Sequence, residues 1–121
     1  MDFSLNSQEK QVLLETARNS IKDRFTGEDS FILPKEGIFK EYCGVFVTIR
    51  KAGSLRGCIG QIKGTMPLGA AVREMAKSSA FSDPRFPPLS REEFPDIDLE
   101  ISVLSPLKKT EDPAEIHTGK H

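Results

Sequence analysis

The segment from Leu55 to Gly60 combines residue types that could support nucleophilic chemistry. It reads Leu-Arg-Gly-Cys-Ile-Gly, so Arg56 and Cys58 are separated by one residue. In an extended strand two such residues point to the same side, about 7 Å apart, and the guanidinium would favour the thiolate form of the cysteine. Because the thiolate is the reactive form, this spacing predicts a nucleophile at Cys58 with Arg56 as its supporting cation.

Two glycines, Gly57 and Gly60, flank this cysteine. Glycine weakens a strand interior unless a bulge or a close approach requires it, so both positions are candidates for contact with a substrate. The alternative is structural, because a free cysteine is commonly a small buried side chain, and residue chemistry alone favours that packed thiol. The segment therefore predicts a thiol site without deciding whether the thiol is reactive.

A proline-rich loop supplies a second candidate, the acid and base pair Asp83 and Arg85. Prolines at positions 84, 87 and 88 cannot continue a helix, so this stretch must be a loop. A rigid loop suits the orientation of a substrate, and equally suits a plain ion pair that ties the loop to the surface. Both alternatives are open at the level of sequence.

Charge and composition restrict the partners of this 121-residue chain, which fits one domain. It has 17 basic and 18 acidic residues, a net charge of -1, and the two signs are interleaved. This balance predicts neither nucleic-acid binding nor attraction to an anionic membrane, and the Gly57 to Gly60 spacing lacks the basic surroundings of an RNA-binding clamp. With no signal-like start and no long apolar run, we expect a cytoplasmic protein.

Residue spacing also argues against a metal or a cofactor. Cys43 and Cys58 do not form a close pair, and Gly119 lies between His117 and His121, whereas zinc sites normally supply close ligand pairs. The glycines match neither of the usual phosphate-binding motifs. We therefore expect no metal site and no nucleotide cofactor.

Hydrophobic periodicity predicts two helices, one on each side of the segment Leu55–Gly60. Apolar residues recur at helical spacing up to Phe25, after Asn6 or Ser7 as N-cap with Glu9 placed to complete a capping box. A second stripe of apolar and small residues, Leu68–Ser79, stops before the proline-rich loop. Both helices are predicted to pack one face on a sheet.

Two extended runs, Val45–Ile49 and Leu55–Ile62, predict a β-hairpin. Its register decides the position of the thiol. A two-residue loop pairs Cys58 with Val47 on the apolar face, and a three-residue loop pairs it with Thr48 on the other face. One residue of slip reverses the answer, so both registers are open.

Strict alternation predicts a further strand over Ile97–Ser105, with one face buried. We also predict a short extended piece at Ile38–Phe39 and the start of a short helical turn at Asp112–Pro113. Helix, hairpin, helix, loop and strand in this order favour an α+β fold with a mostly antiparallel sheet flanked by helices.

The hexapeptide at Leu55–Gly60 resembles the signature of the AMMECR domain family, whose prokaryotic members are called AmmeMemoRadiSam system protein A. Other segments resemble the family in the same order: Val45–Thr48, Pro67–Leu68, Asp83–Pro88 and Glu100–Ser105. The resemblance covers nearly the whole chain. It implies a larger and a smaller subdomain with a cleft between them, near the signature.

The resemblance further implies that the protein works together with a Memo-like protein and a radical-SAM protein. It implies no established reaction for the family. Family members usually continue past a Gly-x-His element like Gly119–His121, so we expect residues 1–121 to lack the usual C-terminal part. Two functions are expected. One is Cys58-dependent modification of a small molecule or macromolecule, with substrate contacts from Gly57, Gly60, Asp83 and Arg85. The other is a non-catalytic adaptor that docks a partner enzyme.

Overall fold

The fold is an antiparallel sheet with helices, and the computed structural model describes residues 5–27, 33–34, 36–104 and 114–117. The helices are α1 (Ser7–Thr26) and α2 (Leu68–Phe81), and the strands are β1 (Gly44–Lys51), β2 (Ser54–Gln61), β3 (Ile97–Leu104) and β4 (Ala114–His117). Short 3-10 helices occupy Gly37–Lys40 and Phe94–Asp96. The strands are antiparallel in the order β2-β1-β3-β4, which confirms the predicted α+β class.

Local sequence sets both ends of α1. The side chain of Asn6 accepts a hydrogen bond from the Glu9 amide at 2.7 Å, and the Glu9 carboxylate accepts one from the Asn6 amide at 2.9 Å. This is the predicted capping box, which satisfies two donors that the helix leaves free. Gly27 ends the helix in the left-handed conformation, with φ of 76°.

Small side chains line the buried side of α2. Its buried residues are Leu68, Gly69, Ala71, Val72, Ala76, Ser79 and Ala80. Short side chains let the backbone of a helix approach a strand closely, and α2 contacts both β1 and β2. The helix ends before Pro84, as the sequence predicts.

The two faces of the sheet differ in burial. On one face the side chains are fully buried beneath α1 and α2: Val45, Val47, Ile49, Leu99, Ile101 and Val103. On the opposite face, called the open face here, the residues are half-buried: Phe46, Thr48, Arg50, Cys58, Glu100 and Ser102. This alternation follows from the two-residue period of a strand and confirms the prediction for β3.

Three short segments differ from, or fall outside, the predictions. Ile38–Phe39 belongs to a 3-10 helix, so the predicted extended piece is wrong. Asp112–Pro113 lies outside the described residues. Ala114–His117 pairs with β3 although no strand was predicted there, because four residues are too few for alternation to be recognised. In the described part of the chain, neither helix has the length and apolar character needed to cross a membrane.

Candidate functional site

The hairpin loop between β1 and β2 has two residues, but a β-bulge shifts the register behind it. Arg50 pairs with Leu55, whereas Ile49 pairs with Gly57, so Arg56 is the extra residue of the bulge. The two-residue loop therefore occurs together with the pairing expected of a three-residue loop. A bulge of one residue changes the register as one more loop residue would.

The bulge places the thiol of Cys58 on the open face, opposite Thr48. The sulfur lies 3.1 Å from the Thr48 hydroxyl oxygen, and the Cys58 side chain is half-buried. Neither Cys58 nor Cys43 forms a disulfide. The thiol therefore lies on the half-buried face, beside a hydroxyl that can donate a hydrogen bond to a thiolate.

The backbone of Cys58 is held from the other side by the pair Asp83 and Arg85. Its amide donates to Asp83 Oδ2 at 3.0 Å, and its carbonyl accepts from Arg85 Nη2 at 3.3 Å. The same two side chains form an ion pair of 2.7 Å. Because β2 is an edge strand, these side chains take the place of a neighbouring strand at Cys58.

This ion pair is strongly stabilised in its charged form. The hydrogen bond from Arg85, and next that from the Cys58 amide, hold the pKa of Asp83 well below its usual range. The pKa of Arg85 is raised, chiefly by its hydrogen bond to Asp83 and next by the charge of that carboxylate. The predicted ion pair therefore exists, and its two members contact the predicted thiol residue directly.

Arg56 lies in a different cluster, centred on Glu93. Its Nε and Nη2 donate to the two oxygens of the Glu93 carboxylate at 3.1 and 2.9 Å, and Lys51 approaches the same group at 3.1 Å. The pKa of Glu93 is held well below its usual range, first by Arg56 and then by the amide of Ser90. The cluster therefore ties the loop after α2 to the bulge at Arg56. The guanidinium that contacts Cys58 belongs instead to Arg85. A direct role of Arg56 at the thiol stays a prediction.

Packing inside the protein accounts for both glycines of the signature. A side chain at Gly57 would collide with the carbonyl oxygen of Ser79 in α2, and one at Gly60 would collide with Val45 and Phe46 in β1. At Gly57 helix and strand, and at Gly60 the two paired strands, therefore approach each other at distances that only glycine permits. Substrate contact at these positions stays a prediction.

Three polar residues complete the site and were not singled out as functional from the sequence. They are Thr48, Ser79 and Glu93. The Ser79 hydroxyl donates to the Val47 carbonyl at 2.7 Å and accepts from the Ile59 amide at 2.9 Å, so it joins β1 to β2. The sequence signal that could have identified Ser79 was its position in the stripe of small residues on α2. Glu93 had none, because its partner Arg56 lies 37 residues away in sequence.

A comparison with known protein families identifies the family of this chain. The family model described as AMMECR1 matches residues 14–121. This chain belongs to the AMMECR1 family. The predicted resemblance to this family is thus confirmed over residues 14–121.

Several relatives of this AMMECR1 chain come from archaea. A protein of Methanothermobacter thermautotrophicus is 43% identical over 109 residues, which cover 88% of this chain and 57% of that protein. A protein of Saccharolobus solfataricus is 39% identical over 112 residues, covering 84% and 47% respectively. The crystal structure of an uncharacterized protein from Pyrococcus horikoshii matches with a TM-score of 0.76 and 36% identity, over 86% of this chain and 55% of that one. The chain therefore spans about half the length of these relatives.

Proposed function

We propose that this AMMECR1-family chain uses Cys58 as a nucleophile or covalent carrier that modifies a small molecule or a macromolecule. The observation that carries the proposal is the placement of the thiol, half-buried on the open face, 3.1 Å from the Thr48 hydroxyl. The pair Asp83 and Arg85 holds both backbone groups of the same residue. A thiol fixed on a rigid strand loses little freedom when it meets an electrophile.

The chemical step is a displacement at a carbon atom of the substrate by the Cys58 sulfur. The thiolate forms a bond to the electrophilic carbon of the substrate while the bond from that carbon to its leaving group breaks. The leaving group departs with the electron pair, and the proton of the thiol passes to solvent. In the thiolate form the sulfur has no proton, so Thr48 is the donor of their hydrogen bond.

The proposal includes a cytoplasmic setting and partner proteins. Both cysteines are free, as expected where thiols are kept reduced. The family resemblance of the signature supports a Memo-like protein and a radical-SAM protein as partners, which would supply or consume the modified substrate. The cleft between two subdomains belongs to the same proposal.

Alkylation by iodoacetamide at pH 7 tests the nucleophile, with Cys43 as an internal control. Cys43 is fully buried, so its alkylation requires opening of the core. We expect mass spectrometry to show Cys58 reacting at least as fast as N-acetylcysteine, and roughly 100-fold faster than Cys43. A Cys58 that reacts only as slowly as Cys43 would end the proposal.

Replacement of Thr48 by valine separates chemistry from mere exposure. Thr48→Val keeps the shape of the side chain and removes the hydroxyl that the sulfur contacts. A hydrogen bond to a charged group is worth about 1.5–3 kcal/mol, so we expect alkylation of Cys58 to slow about tenfold or more. An unchanged rate would show that exposure alone makes the thiol reactive.

A non-catalytic adaptor is the second candidate, and one observation favours it. Leu55 at the start of the signature is 38% exposed, beside the hairpin loop, where a partner enzyme could bury it. Binding to a purified Memo-like protein distinguishes the candidates. An adaptor that docks through the hairpin loses affinity in Leu55→Ser and keeps it in Cys58→Ser.

A further inference from the structure

The guanidinium of Arg85 uses only part of its hydrogen-bonding capacity. A guanidinium has five N–H donors. The Nε donor goes to Asp83 Oδ1 at 3.0 Å, and Nη2 donates to Asp83 Oδ2 at 2.7 Å and to the Cys58 carbonyl at 3.3 Å. For Nη1 the described part of the chain offers no acceptor. Two donors are thus left beside the residue that carries the thiol.

Arg85 combines this free donor pair with a fixed position. Its ion-pair partner Asp83 is only 2% exposed, whereas the Arg85 side chain is 57% exposed. The ring of Phe86 lies 5.5 Å from the guanidinium carbon and contributes a cation–π contact. A guanidinium held by a bidentate pair has already lost most of its rotational freedom, so a ligand that binds it pays little further entropy.

Other cations near the signature are less suited to a ligand. Arg56 is 12% exposed and has both carboxylate oxygens of Glu93 as partners. Arg50, at 39% exposure, pairs with Glu100. Among the cations of the described ion pairs, Arg85 has the most exposed side chain, and it is the one bonded to Cys58.

We propose that Arg85 binds an oxyanion, a carboxylate or a phosphate, on the electrophile that Cys58 attacks. The inference rests on the proposed function of Cys58 and adds the class of its substrate, an anionic electrophile. Paired N–H donors in one plane match the geometry of a carboxylate or phosphate, which is why arginine commonly recognises these groups. Asp83 is then a positioning residue that aims the guanidinium and fixes the Cys58 backbone.

Two alkylating reagents that differ in charge test this inference. Iodoacetate and iodoacetamide both form a sulfur–carbon bond as the carbon–iodine bond breaks and iodide leaves, but only iodoacetate is anionic. The quantity to measure is the ratio of their rate constants at Cys58 in the wild type, in Arg85→Gln and in Arg50→Gln. Arg50→Gln is the matched control, because it removes one positive charge from the open face of the sheet, which also carries Cys58.

We expect Arg85→Gln to lower the iodoacetate to iodoacetamide ratio about fivefold, and Arg50→Gln to change it less than twofold. An equal fall in both variants, or no fall in Arg85→Gln, overturns the inference while the nucleophile stands. A Cys58 that resists even iodoacetamide instead overturns the proposed function and this inference with it.

A second measurement uses the unmodified protein, since Arg85→Gln could fail to fold with Asp83 left buried without its partner. Acetate and inorganic phosphate are added as competitors of iodoacetate, against chloride at the same ionic strength. Slowing by acetate supports a carboxylate on the substrate, and slowing by phosphate supports a phosphate. If neither slows the alkylation beyond chloride, Arg85 is not an oxyanion site.

Discussion

Cys43 and Cys58 are the same residue type in contrasting environments. Cys43 is fully buried in the core just before β1, and its sulfur lies 3.7 Å from the Glu41 carbonyl. Burial, and secondarily the charge of Glu41, raises the pKa of the Cys43 thiol to about 12. Cys58 is half-buried on the open face of an edge strand, against the Thr48 hydroxyl.

The contrast shows that position in the fold, and not residue type, decides which thiol can react. Apolar packing under the helices surrounds Cys43. Around Cys58 the structure depends instead on a close backbone approach at Gly57 and on the Asp83 carboxylate from the loop after α2. Substitutions near Cys43 should therefore change stability through apolar packing, and substitutions near Cys58 through backbone contacts and ion pairs.

The largest effect is expected where the helix meets the signature strand. Gly57→Val forces a side chain into the Ser79 carbonyl, and backbone on both sides cannot yield. Overpacking of this kind should lower the free energy of unfolding by about 3 kcal/mol or more. Urea denaturation measures it, with Ser54→Val at the exposed start of the same strand as control. A cost below that of the control would show that packing does not explain Gly57.

The next effect concerns the carboxylate that ties the loop to the bulge. Glu93→Gln leaves Arg56, which is only 12% exposed, without its countercharge, and should cost about 2 kcal/mol at pH 7. Since folding lowers the pKa of Glu93, its stabilisation is present above the unfolded pKa of about 4.3 and is lost as the pH falls below it. The difference from wild type should therefore shrink steadily as the pH falls below about 4.

Thermal unfolding between pH 2 and 7 checks this prediction, with Glu92→Gln as the matched control. Glu92 is exposed and adjacent in sequence. If both variants lost equal stability at pH 7, the Arg56 and Glu93 contact would not hold the loop.

A pH-dependent effect, smaller for each pH unit than the two above, separates Cys43 from Cys58 at alkaline pH. Folding raises the pKa of Cys43 to about 12. The stabilisation that its neutral, buried thiol gives the folded state is therefore complete below the pKa of the unfolded state and is lost as the pH rises. Stability should fall by about 1.4 kcal/mol per pH unit from roughly pH 9 towards 12. Urea denaturation should show that Cys43→Ala loses this component and that Cys58→Ala, which keeps Cys43, retains it. The same slope in both variants would contradict the burial of Cys43.

The smallest effect is expected at Cys58 itself. Cys58→Ala removes a half-buried thiol from an open face and should change the free energy of unfolding by no more than about 0.5 kcal/mol. Cys43→Ala at pH 7 should cost about 1–2 kcal/mol, because it leaves a cavity in the core. Equal costs in urea denaturation would mean that the two thiols are packed alike.

Local and periodic signals account for the predictions that succeeded. The capping box of Asn6 and Glu9 needs residues only three positions apart, and the alternation of Ile97–Leu104 needs a single strand. The same signals failed for Ile38–Phe39, where a few apolar residues carry no usable period. For the site, the sequence identified Cys58 and the Asp83 and Arg85 pair but not their contact.

By itself the sequence determined the α+β class, the two long helices, the hairpin and the family. These follow from residue spacing within one element and from a signature of contiguous residues. Only the tertiary structure decided which face carries Cys58, because one bulged residue, Arg56, inverts the side of every residue after it in β2. Likewise, only the packing of α2 and its loop on the edge strand brought Arg85 to Cys58 and Glu93 to Arg56. Contacts between residues 27 and 37 positions apart depend on how elements assemble, and no local pattern specifies them.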